Sequence, residues 1–150
     1  MITAVIIDDE VKIRETLKKI ISTHDIPFLI IGEAANKDGG VELVVDLEPD
    51  LILLDVMLGE ETSFDMLRLI DEVKSKVIFI SGFEQFALEA FKFSAVDYIL
   101  KPVDPEELIE AVVKVEKQLQ TAEASVKLDA LLNNLSDLKA QEKKIVFQTL

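Results

Sequence analysis

Ala4-Val5-Ile6-Ile7-Asp8-Asp9 is the stretch that decides the fold: four consecutive apolar residues, then two acids. A run that is apolar at every position, rather than at every second one, reads as a strand covered on both faces of its sheet. Three more runs share this form. Leu51-Ile52-Leu53-Leu54 ends at Asp55, Val77-Ile78-Phe79-Ile80 at Ser81, and Tyr98-Ile99-Leu100 at Lys101-Pro102. The whole chain reads as strand Thr3–Ile7, helix Val11–Ser22, strand Leu29–Ala34, helix Lys37–Leu47, strand Leu51–Leu54, helix Ser63–Glu72, strand Val77–Ser81, helix Phe86–Phe91, strand Tyr98–Leu100 and helix Pro105–Leu119. Five such strand–helix units predict a doubly wound α/β fold, a five-stranded parallel sheet with helices on both faces. In open sheets of this kind ligands bind beyond the carboxyl ends of the strands. Every strong chemical group of the chain falls at that edge.

Composition sets the limits. The 150 residues suit one domain with a modest extension. Hydrophobic residues make up 49%, with only five Gly and four Pro, so there is apolar material for a real core. No apolar stretch approaches the roughly 18–20 residues of a membrane span, and no secretory signal is expected at the N-terminus, which enters a strand at once. Cysteine is absent, which rules out disulfides and thiolate metal sites and agrees with a cytoplasmic setting. The formal charge of −13 predicts repulsion from nucleic acid, so no direct DNA contact by these residues is expected.

The first 120 residues hold the five units, and the rest behaves differently. Asp104-Pro105-Glu106-Glu107 opens a helix with a capping acid, Pro at the first helical position and acids in the first turn. Leu108, Val112, Val115, Leu119, Ala122 and Val126 recur at alternating steps of four and three; Leu128, Leu131, Leu135 and Leu138 do so in a shifted phase. Such spacing suits a coiled-coil seam, and a phase shift suits a break or kink. The reading preferred here is a last domain helix followed by a short amphipathic linker helix over residues 121–143, with a single continuous helix left open. Lys144-Ile145-Val146-Phe147-Gln148-Thr149-Leu150 then reads as a strand opening a further domain.

Asp8, Asp9 and Asp55 offer three carboxylates from two strands that are neighbours at the crossover point of such a sheet. Left alone they would repel one another. A hard cation such as Mg2+ takes oxygen ligands and keeps positions open for phosphate oxygens. Ser81 supplies a hydroxyl and Lys101 a compact positive charge, both suited to a phosphoryl group. The set describes phosphoryl transfer to a carboxylate nucleophile.

At this point the sequence resembles the receiver domain of two-component response regulators. The resemblance is carried by Ile6-Ile7-Asp8-Asp9-Glu10, Leu53-Leu54-Asp55-Val56-Met57, Phe79-Ile80-Ser81-Gly82 and Asp97-Tyr98-Ile99-Leu100-Lys101-Pro102, in order and at the right spacing. It implies flavodoxin-like strand order 2-1-3-4-5 and Asp55 as phosphoacceptor. Asp9, Asp55 and the Met57 backbone carbonyl would be direct Mg2+ ligands, with Asp8 acting through water. It also implies that Lys101 pairs with the phosphoryl group, that Ser81 is drawn toward it, that Tyr98 is the switch aromatic, and that Lys101–Pro102 is cis. The implied partners are a sensor histidine kinase and a second copy of the chain, through the face formed by the fourth helix, fifth strand and fifth helix. The run Glu84–Tyr98 is similar to receivers that precede a LytTR DNA-binding domain, whose first strand the 144–150 segment resembles. DNA would then be reached only through that further domain.

Two departures stand out. Gly59 and Ser63 occupy positions where many receivers carry Pro and Gly, which predicts a looser Leu58–Thr62 loop. Met57 and Phe83, two residues beyond Asp55 and Ser81, are large and apolar where the family tunes dephosphorylation, which predicts a long-lived phosphorylated state.

Each residue also has a plainer reading. Asp8-Asp9-Glu10 suits a solvated helix start, Ser81 a helix cap, Lys101 an ordinary surface position and Tyr98 a half-buried strand residue. His24 has no second His or any Cys to form a metal site. The Phe83, Phe86, Phe91 and Phe93 cluster suits a core whose exposed remainder faces a partner. Two other functions compete: a Mg2+-dependent phosphohydrolase, which needs a second acid two residues after its nucleophile where this chain has Met57, and a protein-interaction domain that is never phosphorylated. A nucleotide or flavin module is disfavoured because no Gly-rich phosphate loop is present.

Overall fold

A computed structural model describes residues 1–149, with side chains through Asp137. Five strands form one parallel sheet: β1 (Ile2–Ile7), β2 (Phe28–Ala34), β3 (Leu51–Leu54), β4 (Lys76–Ser81) and β5 (Asp97–Leu100). Their order is β2-β1-β3-β4-β5, the flavodoxin-like order that the receiver resemblance implies. Five α-helices follow the strands in turn: α1 (Val11–Thr23), α2 (Lys37–Leu47), α3 (Ser63–Arg68), α4 (Ala87–Lys92) and α5 (Pro105–Thr149). By internal contacts the chain divides into two compact units, Met1–Val115 and Glu116–Leu150.

The central strands are apolar all along because helices cover both of their faces. Val5, Ile6, Ile7, Ile52, Leu54, Ile78 and Phe79 are fully buried. On α5 the buried residues Leu108, Ala111, Val112 and Val115 face this core, while Val126, Leu128, Leu131 and Leu135 are exposed. Close packing also dictates one glycine. A Cβ at Gly40 would stand 2.5 Å from Met66 Sδ, so glycine lets α2 and α3 approach.

Local chemistry sets the element ends. Asn36 Oδ1 accepts from the Gly39 N–H at 2.8 Å and caps α2, which closes at Glu48 in the left-handed region (φ +43°) just before Pro49. Asp104 Oδ1 accepts from the Glu106 N–H at 3.0 Å, the acid cap expected for α5.

Several expectations are corrected. Helix α3 ends at Arg68 rather than Glu72, since the Leu69 and Ile70 N–H groups turn to Met66 and Leu67, tightening the last turn. The expected helix Phe86–Phe91 is a 3-10 turn, Glu84–Phe86, followed by α4. Instead of a loose loop, Met57–Leu58 and Glu61–Thr62 pair as a two-stranded antiparallel ribbon. Gly59 sits at φ +67° in the first position of its two-residue turn, where a type II′ turn favours glycine.

The expected break after residue 120 is also absent: α5 is one helix of 45 residues. No Gly or Pro lies between residues 106 and 149, so the shift in apolar phase rotates the stripe without interrupting the backbone. The same helix covers Lys144–Thr149, where the sequence predicts a strand. A lone strand would leave its N–H and C=O groups unpaired, whereas a helix bonds its own. Leu150 lies outside the described residues.

Candidate functional site

The register of the sheet brings the polar strand ends together. Ile7 pairs with Leu54, the Asp55 N–H donates to the Ile7 carbonyl at 2.9 Å, and the Asp8 N–H donates to the Ala34 carbonyl at 3.1 Å. One carboxylate oxygen from each of Asp8, Asp9 and Asp55 lies within 4.8 Å of the others. Asp8 and Asp55 are buried, while Asp9 is exposed.

Lys101 arrives from β5. The Lys101 N–H donates to the Ser81 carbonyl at 2.8 Å, and Lys101–Pro102 is cis. Its Nζ lies 3.0 Å from Asp55 Oδ2 and 3.1 Å from Asp8 Oδ2. Three carboxylates against one ammonium leave two formal negative charges, the charge a divalent cation would balance. The oxygen-only donor set suits Mg2+, so the residues present fit that ion.

The electrostatics follow from crowding. Burial pushes the Asp55 carboxyl up to about 6; the hydrogen bond from Lys101 opposes this, and the Asp8 and Asp9 charges reinforce it. Burial pulls the Lys101 ammonium down, but hydrogen bonds to Asp55 and Asp8 carry it above its ordinary value. Lys101 is therefore a permanent cation, and Asp55 is the acid whose charge state the surroundings set.

Ser81 is fully buried at the end of β4, and its Oγ accepts from the Phe83 N–H at 3.1 Å. The Tyr98 hydroxyl donates to the Phe83 carbonyl, joining β5 to the segment after Ser81. Burial raises the Tyr98 phenol above its ordinary value, which keeps it a donor. Phe83 is half exposed and meets Phe86 edge to face at 6.0 Å, while Phe86 and Phe93 pack against the core and Phe91 is exposed. The Met57 side chain packs against the core from the first strand of the ribbon. Asp9 Oδ2 accepts from the Gly59 N–H at 3.1 Å, tying that ribbon to the acids.

Two features escape sequence reading. Arg14, one of several charged residues off the apolar stripe of α1, donates through Nη1 to the Asp8 carbonyl at 2.6 Å. Ser63 is fully buried, and its Oγ has no hydrogen-bond partner among the described residues. The only signal in the sequence is an Arg six residues after the first acid.

A profile of the response regulator receiver domain matches residues 4–113. An uncharacterized response regulatory protein of Vibrio vulnificus is 40% identical over 119 residues, which is 78% of this chain and 48% of that protein. The sensory transduction protein LytT of Bacillus cereus is 32% identical over 124 residues, 81% of this chain and 50% of that one. This chain thus spans about half the length of these curated relatives. Among solved structures, the REC domain of AraT, a response regulator from Geobacillus stearothermophilus, superposes with a TM-score of 0.72 at 27% identity, covering 81% of this chain and 98% of that one.

Proposed function

The chain belongs to the response regulator receiver domain family, and from that premise we propose that it is a phosphoacceptor switch in which Asp55 takes a phosphoryl group from a sensor histidine kinase. The observation that supports this reading best is the double pairing of Lys101 with Asp55 and Asp8, inside a cluster of three carboxylates at the carboxyl edge of the sheet. A carboxylate oxygen of Asp55 attacks phosphorus, the bond from phosphorus to the donor nitrogen breaks, and the imidazole keeps the electron pair. Asp9, Asp55 and the Met57 carbonyl would hold Mg2+, with Asp8 acting through water. Bound there, the ion would neutralise the crowded acids and the charge on the transferring group. Lys101 then exchanges one carboxylate partner for a phosphoryl oxygen, and the Ser81 hydroxyl donates to another.

The output follows from the link between Tyr98 and Phe83. Movement of Ser81 toward the phosphoryl group shifts the Phe83 segment, and Tyr98 carries that shift to the face of α4, β5 and α5. Exposed Leu88 and Phe91 give this face apolar surface for a second copy of the chain. Likeness of the Glu84–Tyr98 run to receivers that precede LytTR domains supports a DNA-binding output in a further domain, reached through α5. The net charge of −13 argues that these residues do not touch DNA themselves. Among the described residues no helix is long and apolar enough to cross a membrane, and the proposed setting is the cytoplasm. The chain assists its own phosphorylation and dephosphorylation and turns over no free substrate.

Intact mass after acetyl phosphate treatment tests the reading. One phosphoryl adduct that needs Mg2+ and disappears in Asp55→Asn supports it. A chain that takes up no phosphoryl group from acetyl phosphate or from a kinase overturns it, leaving a protein-interaction domain.

A further inference from the structure

The peptide unit between Asp8 and Asp9 joins two of the three acids of the pocket, and the Asp9 carboxylate is also held by the Gly59 N–H at 3.1 Å. A change in ψ of Asp8 that φ of Asp9 does not offset redirects the chain and carries the Asp9 carboxylate with it. The Asp8 N–H is fixed to β2 through the Ala34 carbonyl at 3.1 Å. The Asp8 carbonyl itself, on the plane that turns, accepts a hydrogen bond from Arg14 Nη1 at 2.6 Å.

Arg14 does not float. Its side chain is largely buried at 14% exposure, and its Nε donates to Glu33 Oε1 at 3.2 Å. The other oxygen of Glu33 is held by Lys18 Nζ at 2.9 Å, which also pairs with Glu15 at 2.9 Å. The planar guanidinium is therefore anchored on one edge to a carboxylate of β2 and directed on the other at the main chain of the loop after β1. Lysine, whose donors all sit on one nitrogen, lacks the rigid spacing between Nε and Nη1 that reaches both positions here.

We propose that Arg14 is a positioning residue for the acidic pocket, fixing the Asp8–Asp9 peptide so that both carboxylates face a common Mg2+. This rests on the reading of the three acids as a metal site and adds the part that sets their geometry. Arg14 touches neither the ion nor the phosphoryl group in this role. It acts as outer contacts of metal ligands do, by removing alternative orientations.

Charge and geometry predict opposite signs, which makes the proposal testable. Removing a cation near an acidic site strengthens Mg2+ binding if Arg14 acts only through its charge. It weakens binding if Arg14 holds the peptide. Lys18→Met is the matched control, since it removes one positive charge from the same network without touching the Asp8 carbonyl.

The experiment is calorimetric titration of MgCl2 into the full chain after EDTA treatment, for wild type, Arg14→Met, Arg14→Lys and Lys18→Met. Each titration is run well below the unfolding temperature of that variant, measured without metal. Arg14→Met and Arg14→Lys are expected to bind Mg2+ about tenfold more weakly, with Lys18→Met equal to wild type or slightly tighter. Should Arg14→Met not fold, Arg14→Lys carries the test, because it keeps the charge and loses only the two-sided link. Wild-type affinity or better in both Arg14 variants overturns the proposal and leaves the metal reading intact. Absence of Mg2+ binding by the wild type overturns the metal reading, and the proposal with it.

Discussion

Lys101 Nζ lies 3.0 Å from Oδ2 of Asp55, joining the ends of two strands that are not neighbours, with β4 between them. The pair spans 46 residues of sequence and is largely sheltered from water, with side-chain exposures of 16% and 8%. The same ammonium also holds Asp8. Removing it would leave two buried carboxylates without their cation. Lys101→Ala is expected to cost about 2–3 kcal/mol at pH 7 without metal, somewhat below the figure for breaking a fully buried pair. Urea unfolding at pH 7, with and without MgCl2, checks this: the deficit should shrink when Mg2+ is present.

The raised Asp55 pKa predicts a pH dependence of defined sign. Its folded value of about 6 stands above the unfolded value of about 3.8, so the folded state holds the proton more tightly. The resulting stability is fully present below pH 4 and is lost as pH rises through about 6. Asp55→Asn, which is neutral throughout, should match wild type near pH 4 and exceed it at pH 7 by about 2 kcal/mol in EDTA. Equal pH profiles for the two proteins would remove the idea of a strained carboxylate.

At the opposite edge of the sheet, Asp50 Oδ2 accepts from the Thr3 N–H at 2.9 Å and from the Thr3 hydroxyl at 3.1 Å. The Thr3 Oγ1 in turn accepts from the Asp50 N–H at 3.0 Å. These bonds pin β1 to the turn before β3, far from the acids along the strands. Asp50→Ala should lower stability by about 1–2 kcal/mol. Phosphoryl uptake by the folded variant should be unchanged, as intact mass would show.

Ser63 places a buried hydroxyl at the first residue of α3 with no partner among the described residues. Desolvating that group without a hydrogen bond is unfavourable, so Ser63→Ala should stabilise the chain by about 1 kcal/mol. A lower urea midpoint in the variant would count against this and point to a bridging water in the native protein.

Phe83 is half exposed two residues beyond Ser81, with its ring against Phe86 and its carbonyl held by Tyr98. If its bulk slows water from reaching phosphorylated Asp55, Phe83→Ala should shorten the lifetime of the phosphoryl adduct by a factor of a few. Decay followed by mass against time decides; an unchanged rate shows that the ring plays no such part.

The sequence by itself determined the sheet and its chemical edge. Continuous apolar runs such as Ile52–Leu54 belong inside a parallel sheet, and the residue ending each run must emerge at the carboxyl edge. That places Asp8, Asp55, Ser81 and Lys101 without any knowledge of contacts. Other features only the tertiary structure decided. Helical spacing marks Arg14 as one charge among several on α1, yet its head turns inward to the Asp8 carbonyl. Lys101 chooses both Asp55 and Asp8, the Tyr98 hydroxyl finds the Phe83 carbonyl, and Ser63 finds no partner among the described residues. The unbroken course of α5 belongs here as well, since a shift of apolar phase leaves open whether the backbone stops. Sequence pattern carries the average preference of each position for water or core. Which donor meets which acceptor depends on strand register and rotamer, and these are fixed only when distant segments pack against each other.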